Sequence, residues 1–204
     1  MKIYHAPNTR SVRIVWLFEE LGLPYELELL KRGDPKMRAP EYLKIHPQGR
    51  VLLMPVLEEG ESRIFESGAI VQYVLAKYGE GRLAPSLDSP EFGNYLQWLH
   101  FAEGMLMPPV NIIVVETILL PEERRNKVNA ERAKKLLTRM LGTVEARLAE
   151  HDYLAGEFSA ADIMSGHACI VSSRLLGDIS DKPNLQAYVE RLMARPALQR
   201  AFAK

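Results

Sequence analysis

The sequence predicts two domains of different class, an α/β domain over residues 1–80 and an all-helical domain over residues 88–204. Short strand-like runs alternate with helical patterns before residue 80, and no strand pattern is found after residue 90. Between the two regions, glycine, proline and serine crowd residues 79–90, which is typical of a linker.

The first domain is predicted to run in the order β-α-β-α-β-β-α. Residues 2–5 and 25–30 are typical of strands, and an apolar stripe at helical spacing lies between them and ends at Gly22. A β-α-β unit of this kind normally has parallel strands. The remaining predicted elements are a short helix or turn at 40–45, a strand at 53–57, its hairpin partner at 63–65, and a helix that begins at Glu66-Ser67.

The second domain is predicted to consist of helices alone. The first of them ends at Pro108-Pro109, because proline cannot continue a helix. The predicted helices are residues 91–107, 121–150, 159–176, 184–194 and 197–203.

The composition excludes several classes of function. Lysine and arginine together number 26, as do aspartate and glutamate, so no net charge attracts nucleic acid or an acidic membrane. The longest apolar run, around residues 105–115, is too short and too interrupted by proline to span a bilayer. The start of the chain has no signal-peptide pattern, and Cys169 is the single cysteine. We therefore expect a cytoplasmic protein with neither a nucleic-acid nor a membrane partner.

Residues 4–13, Tyr-His-Ala-Pro-Asn-Thr-Arg-Ser-Val-Arg, form the stretch around which the first domain is organised. A polar loop that leads from a strand into a helix N-terminus suits a small anion, since the helix dipole places partial positive charge there. The hypothesis is that this loop holds an anionic group such as a thiolate. The histidines lie scattered through the chain without metal-ligand spacing, so we expect no metal.

Three further motifs show a resemblance to a known family. They are Phe65-Glu66-Ser67-Gly68-Ala69-Ile70, Met54-Pro55-Val56-Leu57, and the capping signature Ser159-Ala160-Ala161-Asp162. Together with the order of the elements, they resemble the cytosolic glutathione S-transferase superfamily over essentially the whole chain. The resemblance implies a thioredoxin-like first domain and an all-helical second domain.

The resemblance also implies a set of glutathione-binding residues. Ser67 and its backbone N–H would hold the γ-glutamyl carboxylate, and Glu66 would hold the α-ammonium group. Met54, before a cis-proline at Pro55, would pair with the cysteinyl part. Arg50 is separated from Pro55 by two more residues than in the family pattern. The other residues expected to contact glutathione are Arg10, Gln48 and Arg50.

Four residues near the opening loop are candidates for activating the thiol. In an ungapped comparison Asn8 falls where theta- and phi-class enzymes carry their catalytic serine, and Pro7-Asn8 is similar to the nu class. Tyr4 falls at the catalytic tyrosine of other classes, while Arg10 replaces the cysteine of beta-class enzymes. A hydrogen-bond donor beside the sulfur would lower the pKa of the thiol. The candidates are, in order of preference, Asn8, Ser11, Thr9 and Tyr4.

The expected function is a glutathione transferase that joins the glutathione thiolate to small hydrophobic electrophiles in detoxification, and the resemblance implies a homodimer. Two alternatives stay open: a glutathione-dependent peroxidase or disulfide-bond reductase, and a non-catalytic protein of the same fold that binds ligands. Glutathione is the expected co-substrate. The electrophile pocket is expected to be lined by Tyr95, Trp98, Phe101, Ala102 and Met105.

Overall fold

The computed structural model describes residues 1–30, 39–43 and 55–204, which form two compact units. The first unit comprises Met1–Leu83 together with Ala194–Lys204, and the second comprises Ala84–Met193. The sequence assigned all of residues 88–204 to the second domain. The C-terminal segment instead belongs to the first unit, because its helix α9 (Pro196–Phe202) packs along α1 (Val12–Leu21).

The first unit contains one mixed sheet within the described residues. The strand order is β2-β1-β3-β4, with β1 parallel to β2 and antiparallel to β3, and with β3 and β4 forming an antiparallel hairpin. The predicted α/β class and the parallel β-α-β unit are confirmed. The strands are β1 Lys2–His5, β2 Glu26–Leu29, β3 Val56–Glu59 and β4 Ser62–Phe65, and the other helices are α2 Pro40–Leu43 and α3 Ser67–Tyr78.

Helix α1 lies at the centre of the first unit, packed against β1, α3 and α9. Five consecutive side chains from Ile14 to Phe18 are fully buried, so every face of this part of the helix is covered. Near its C-terminal end, the Glu20 carboxylate accepts hydrogen bonds from Trp16 Nε1 (2.8 Å) and from Arg195 Nε and Nη2 (2.7 and 2.9 Å). These contacts fix the helix whose other end faces the opening loop.

The first helix of the second unit does not end at Pro108-Pro109, and that prediction is wrong. The chain stays helical over Phe92–Leu119. A π-type turn at Ala102–Leu106 lets the Met107 N–H reach back to Ala102 O, so both prolines fall in the first turn of the following helix. An amide there has no α-helical partner in any case, so proline loses nothing.

Among the described residues, Phe92–Leu119 is the one helix whose length and mean hydropathy of 1.4 would allow it to cross a membrane. A core helix of a soluble protein meets the same criteria, so this property by itself assigns no location.

The helix predicted from residue 121 begins later, at Lys127. Pro121 is followed by a 3₁₀ turn at Glu122–Arg124, and the Asn126 side chain then caps α6 by accepting a hydrogen bond from Asn129 N (3.0 Å). All residues of this unit are described, and apart from two isolated bridges near Tyr153 they form no β-structure. Its α-helices are α4 Phe92–Phe101, α5 Met107–Val114, α6 Lys127–Leu148, α7 His167–Leu176 and α8 Pro183–Met193.

A buried carboxylate holds the start of the α7 segment. Asp162 accepts hydrogen bonds from Leu154 N (3.0 Å), Ser159 N (2.9 Å), Ser159 Oγ (3.2 Å) and the Tyr188 hydroxyl (2.8 Å), while Ser159 Oγ accepts from Ala161 N. The predicted capping role of Ser159 and Asp162 is confirmed. Burial raises the pKa of Asp162, against the opposing effect of these donors.

Candidate functional site

Two helix N-termini of the first unit lie close together. Arg13 Nη1, in the first turn of α1, donates to Oγ of Ser67, the first residue of α3 (3.1 Å), and both side chains are buried. Neither helix has an acidic residue in its first turn. Apart from Glu66, the N-cap of α3, no acidic residue stands at either helix start, so the positive ends of the helix dipoles suit an anionic ligand.

The N-terminus of α3 offers backbone donors. The first hydrogen bond within the helix runs from Ile70 N to Glu66 O, so the N–H groups of residues 67–69 precede it and point out of the helix end. Glu66 is exposed and has a backbone φ of 78°, a strained value for a residue that is not glycine. Strain of this kind is typical of sites where backbone direction matters.

Ser11 lies at the centre of the opening loop and is fully buried. Its Oγ is 2.8 Å from His5 Nδ1, 2.8 Å from Thr9 Oγ1, 3.1 Å from Ala6 N and 3.1 Å from Ala6 O. One hydroxyl has one proton and two lone pairs, so three of these four neighbours are enough to use its whole hydrogen-bonding capacity. The position favours a role for Ser11 in holding the loop, and direct contact with a sulfur stays a prediction.

Thr9 and Asn8 are nearer to solvent. Thr9 is half-buried, and its hydroxyl donates to Ala6 O (2.8 Å). Asn8 is exposed and adopts a left-handed backbone with φ 59°, which asparagine tolerates better than most residues. Both side chains lie where a ligand at the surface of the loop can reach them.

Tyr4 lies in β1 but its hydroxyl is directed away from this loop. It donates to Glu58 Oε2 (3.1 Å), and Glu58 pairs in the sheet with Lys2, at the end of β1 opposite the loop. Burial and the Glu58 carboxylate raise the pKa of Tyr4. The structure therefore separates Tyr4 from the three other candidates.

The remaining predicted glutathione contacts are divided between described and undescribed residues. Arg10 is buried in the opening loop, and Pro55 is buried immediately before β3. Gln48, Arg50 and Met54 lie outside the described residues, as does the peptide bond between residues 54 and 55 on which the predicted cis-proline depends.

Two residues of the site were missed by the sequence reasoning. His5, the last residue of β1, is fully buried, and burial lowers its pKa from 6.5 to about 4. Arg13 is a fully buried arginine between apolar neighbours of α1. The available signal was its position within an otherwise apolar helix, since arginine is rarely buried without a partner.

The predicted pocket residues lie on the first long helix of the second unit. Tyr95, Trp98 and Ala102 are buried, whereas Met105 is 42% exposed. The rings of Trp98 and Phe101 lie 4.9 Å apart, and burial raises the pKa of Tyr95 to about 12. Tyr95 thus keeps its phenol proton at neutral pH.

Cys169 lies in α7 and is fully buried, and burial raises the pKa of its thiol. It therefore has the environment of an inert core thiol. In the described parts of the chain, no group of three or more His, Cys, Asp or Glu side chains is arranged to hold a metal ion.

Family models described as "Glutathione S-transferase, N-terminal domain" and "Glutathione S-transferase, C-terminal domain" match residues 1–76 and 106–196. The chain belongs to the glutathione S-transferase family. The thioredoxin-like first domain, the helical second domain and the enzyme class of glutathione transferase, all predicted from the sequence, are confirmed.

Individual glutathione transferases resemble the chain over nearly all its length. Glutathione S-transferase 3 of Schizosaccharomyces pombe is 30% identical, covering 99% of this chain and 86% of the relative. Glutathione S-transferase 4 of Zea mays is 36% identical over 91% of this chain and 83% of its own. The crystal structure of the glutathione transferase URE2P6 from Phanerochaete chrysosporium, in complex with oxidized glutathione, superposes with a TM-score of 0.85 at 25% identity, covering 99% of this chain and 94% of that one.

Proposed function

We propose that this chain joins the thiolate of glutathione to small hydrophobic electrophiles, and that it does so as a cytoplasmic homodimer in detoxification. The observation that carries the proposal is the pair of helix N-termini held together by Arg13 and Ser67, beside a loop rich in hydroxyl groups. The named relatives are glutathione S-transferases, and the Phanerochaete structure contains oxidized glutathione, which supports glutathione as the ligand.

In this proposal the N-terminus of α3 binds the γ-glutamyl end of glutathione. The carboxylate accepts hydrogen bonds from the amides of residues 67–69 and from the Ser67 hydroxyl, and the α-ammonium group pairs with exposed Glu66. Met54 and Pro55 bind the cysteinyl part, while Arg10, Gln48 and Arg50 serve the rest of the peptide. This arrangement directs the sulfur towards the opening loop.

The opening loop then stabilises the sulfur as a thiolate. A neutral thiol is a poor nucleophile, and a hydrogen-bond donor together with the positive end of α1 favours the ionised form. Asn8 and Thr9 are the donors nearest to solvent. The thiolate attacks an electrophilic carbon of the second substrate, a carbon–sulfur bond forms, and the leaving group departs with its electron pair.

The electrophile is proposed to bind against the aromatic face of α4. Phe101 and exposed Met105 would contact a small hydrophobic compound, while buried Tyr95, Trp98 and Ala102 support them from the core. Exposed apolar side chains support assembly of two copies, since a dimer would cover them. They include Phe65, Leu96, Ile112 and Ile118, which are 36–53% exposed.

A second candidate is reduction of peroxides or disulfides by two molecules of glutathione, with oxidized glutathione as the product. The oxidized glutathione in the Phanerochaete structure favours this alternative, together with the exposed position of Asn8. A mechanism through a protein mixed disulfide would need a reactive cysteine, and the single cysteine of the sequence is buried.

The test has two steps, binding and turnover. The purified protein is applied to immobilised glutathione and eluted with free glutathione, and turnover is then measured with chlorodinitrobenzene and, separately, with an organic hydroperoxide. Retention with conjugation supports the first proposal, and retention with peroxide reduction alone supports the second. Retention without any turnover supports a non-catalytic binding protein and overturns both, and sedimentation at several concentrations tests the dimer.

A further inference from the structure

A chain of hydrogen bonds leads from the buried end of β1 to the surface of the opening loop. His5 Nδ1 lies 2.8 Å from Ser11 Oγ, which lies 2.8 Å from Thr9 Oγ1, which lies 2.8 Å from Ala6 O. His5 and Ser11 are fully buried, and Thr9 is half-buried. Thr9 is therefore the member of the chain that can meet a ligand.

The donor-to-acceptor direction of these hydrogen bonds depends on which nitrogen of His5 carries the proton. Ser11 Oγ always accepts from Ala6 N (3.1 Å), so one lone pair remains. If Nδ1 is protonated, His5 fills that lone pair, and the Thr9 proton is left for Ala6 O or for a ligand. If Nε2 is protonated, Ser11 donates to His5 Nδ1 and accepts the Thr9 proton, so the Thr9 donor points inwards.

The surroundings of Nε2 select the first arrangement. This nitrogen is buried, and no polar atom of the described residues lies within hydrogen-bond distance of it. An N–H group buried without an acceptor is rarer and more costly than an acceptor without a donor. The Nδ1–H form also leaves the Thr9 proton on Ala6 O, as the 2.8 Å distance requires.

We propose that His5 is a positioning residue that donates from Nδ1 to Ser11, and thereby leaves the Thr9 hydroxyl as the donor to the glutathione sulfur. The inference rests on the proposed function, since it needs glutathione in the loop. His5 then donates to Ser11 and Ser11 donates to Thr9. The Thr9 hydroxyl turns its proton from Ala6 O to the sulfur when glutathione binds, and such aligned hydrogen bonds strengthen one another. Ser11 then transmits the effect of His5 without touching the sulfur.

The tautomer is tested first, on the native protein without glutathione. Long-range ¹H–¹⁵N correlation spectra of the histidine rings distinguish the two neutral forms, and the His5→Asn variant assigns the His5 signals. The expected result is a neutral ring protonated at Nδ1 at pH 7. A ring protonated at Nε2, or a doubly protonated ring, would overturn the inference whether or not glutathione binds.

The effect on the sulfur is tested by measuring thiolate absorbance of bound glutathione against pH. His5→Leu and Thr9→Val are each expected to raise the thiol pKa by about one unit, which is a tenfold loss of thiolate at low pH. The double variant should show no further rise in the thiol pKa, because both changes interrupt the same series of hydrogen bonds. His5→Asn, whose amide reaches the Nδ1 position, and Thr9→Ser should keep a pKa near the native value.

The outcomes separate this inference from the proposed function. Native affinity for glutathione with an unshifted thiol pKa in His5→Leu and Thr9→Val would overturn the inference alone. Failure of the native protein to bind glutathione would overturn the proposed function and the thiol part of the inference together. Thermal unfolding of each variant shows whether it is folded. The spectra of the His5 ring are recorded on the native protein, so they test the tautomer even if His5→Leu does not fold.

Discussion

Replacing Ser67 with alanine tests the N-terminus of α3 as the site of the glutathione carboxylate. Ser67 is 2% exposed, and its hydroxyl accepts a hydrogen bond from the buried Arg13 guanidinium at 3.1 Å. A hydrogen bond to a charged group contributes about 1.5–3 kcal/mol, and the distance here is near the long end of the normal range. We therefore expect Ser67→Ala to lower the free energy of unfolding by about 1.5 kcal/mol.

The same variant should bind glutathione more weakly. A lost hydrogen bond to the carboxylate is expected to cost about 1–3 kcal/mol, which corresponds to about 5- to 150-fold in the dissociation constant. Isothermal titration calorimetry measures the affinity, and urea unfolding measures the stability. Ser62→Ala, at an exposed position in β4, is the matched control and should change neither value by more than about 0.5 kcal/mol. Equal affinity in both variants would refute the role of Ser67 in binding, and native stability in Ser67→Ala would refute the strength assigned to its bond with Arg13.

Three further predictions concern the scaffold around the site. Asp162→Ala should lower the free energy of unfolding in urea by at least about 3 kcal/mol, because two backbone amides and the Tyr188 hydroxyl lose a buried acceptor; a loss below about 1 kcal/mol would contradict this. Glu20→Gln should speed amide hydrogen exchange in α9, because the two Arg195 nitrogens lose their charged partner. The control Glu26→Gln, at an exposed position, should leave this exchange unchanged. Equal exchange in the two variants would be evidence against the Glu20–Arg195 contact. Burial lowers the pKa of His5 to about 4, so on acidification the imidazole takes up its proton in the unfolded chain at a higher pH than in the folded protein. The native stability should therefore fall as the pH drops from 6.5 towards 4. His5→Asn should remove that part of the pH dependence, and an unchanged slope would show that His5 does not cause it.

The class and order of the elements were readable from the sequence because they depend on local patterns. Alternating strands, the Gly22 stop and the capping signature at Ser159 each act over a few residues, and the structure contains all three. The helix boundary that was predicted wrongly depends on the hydrogen-bond pattern of the neighbouring turns. Pro108-Pro109 was read as a stop, but the π turn before it shifts both rings into a first turn, which residue preferences do not reveal.

The candidate site was only partly readable for a similar reason. Glu66-Ser67 could be found because a helix N-terminus has a local signature, and the bond from Arg13 could not, since it joins residues 54 positions apart. Ser11 and Tyr4 were chosen as donors by residue type and position in the chain. Where each hydroxyl points depends on tertiary contacts, with His5 and Ala6 for Ser11 and with Glu58 for Tyr4.

The most direct test of the account is the titration of the glutathione sulfur bound to the native protein. The central claim is that the opening loop and the two helix N-termini hold this sulfur as a thiolate. A cysteine thiol in water has a pKa of about 8.5, and thiolate absorbance against pH should give a value at least about one unit lower for the bound peptide. A bound sulfur that titrates like the free thiol would contradict the claim.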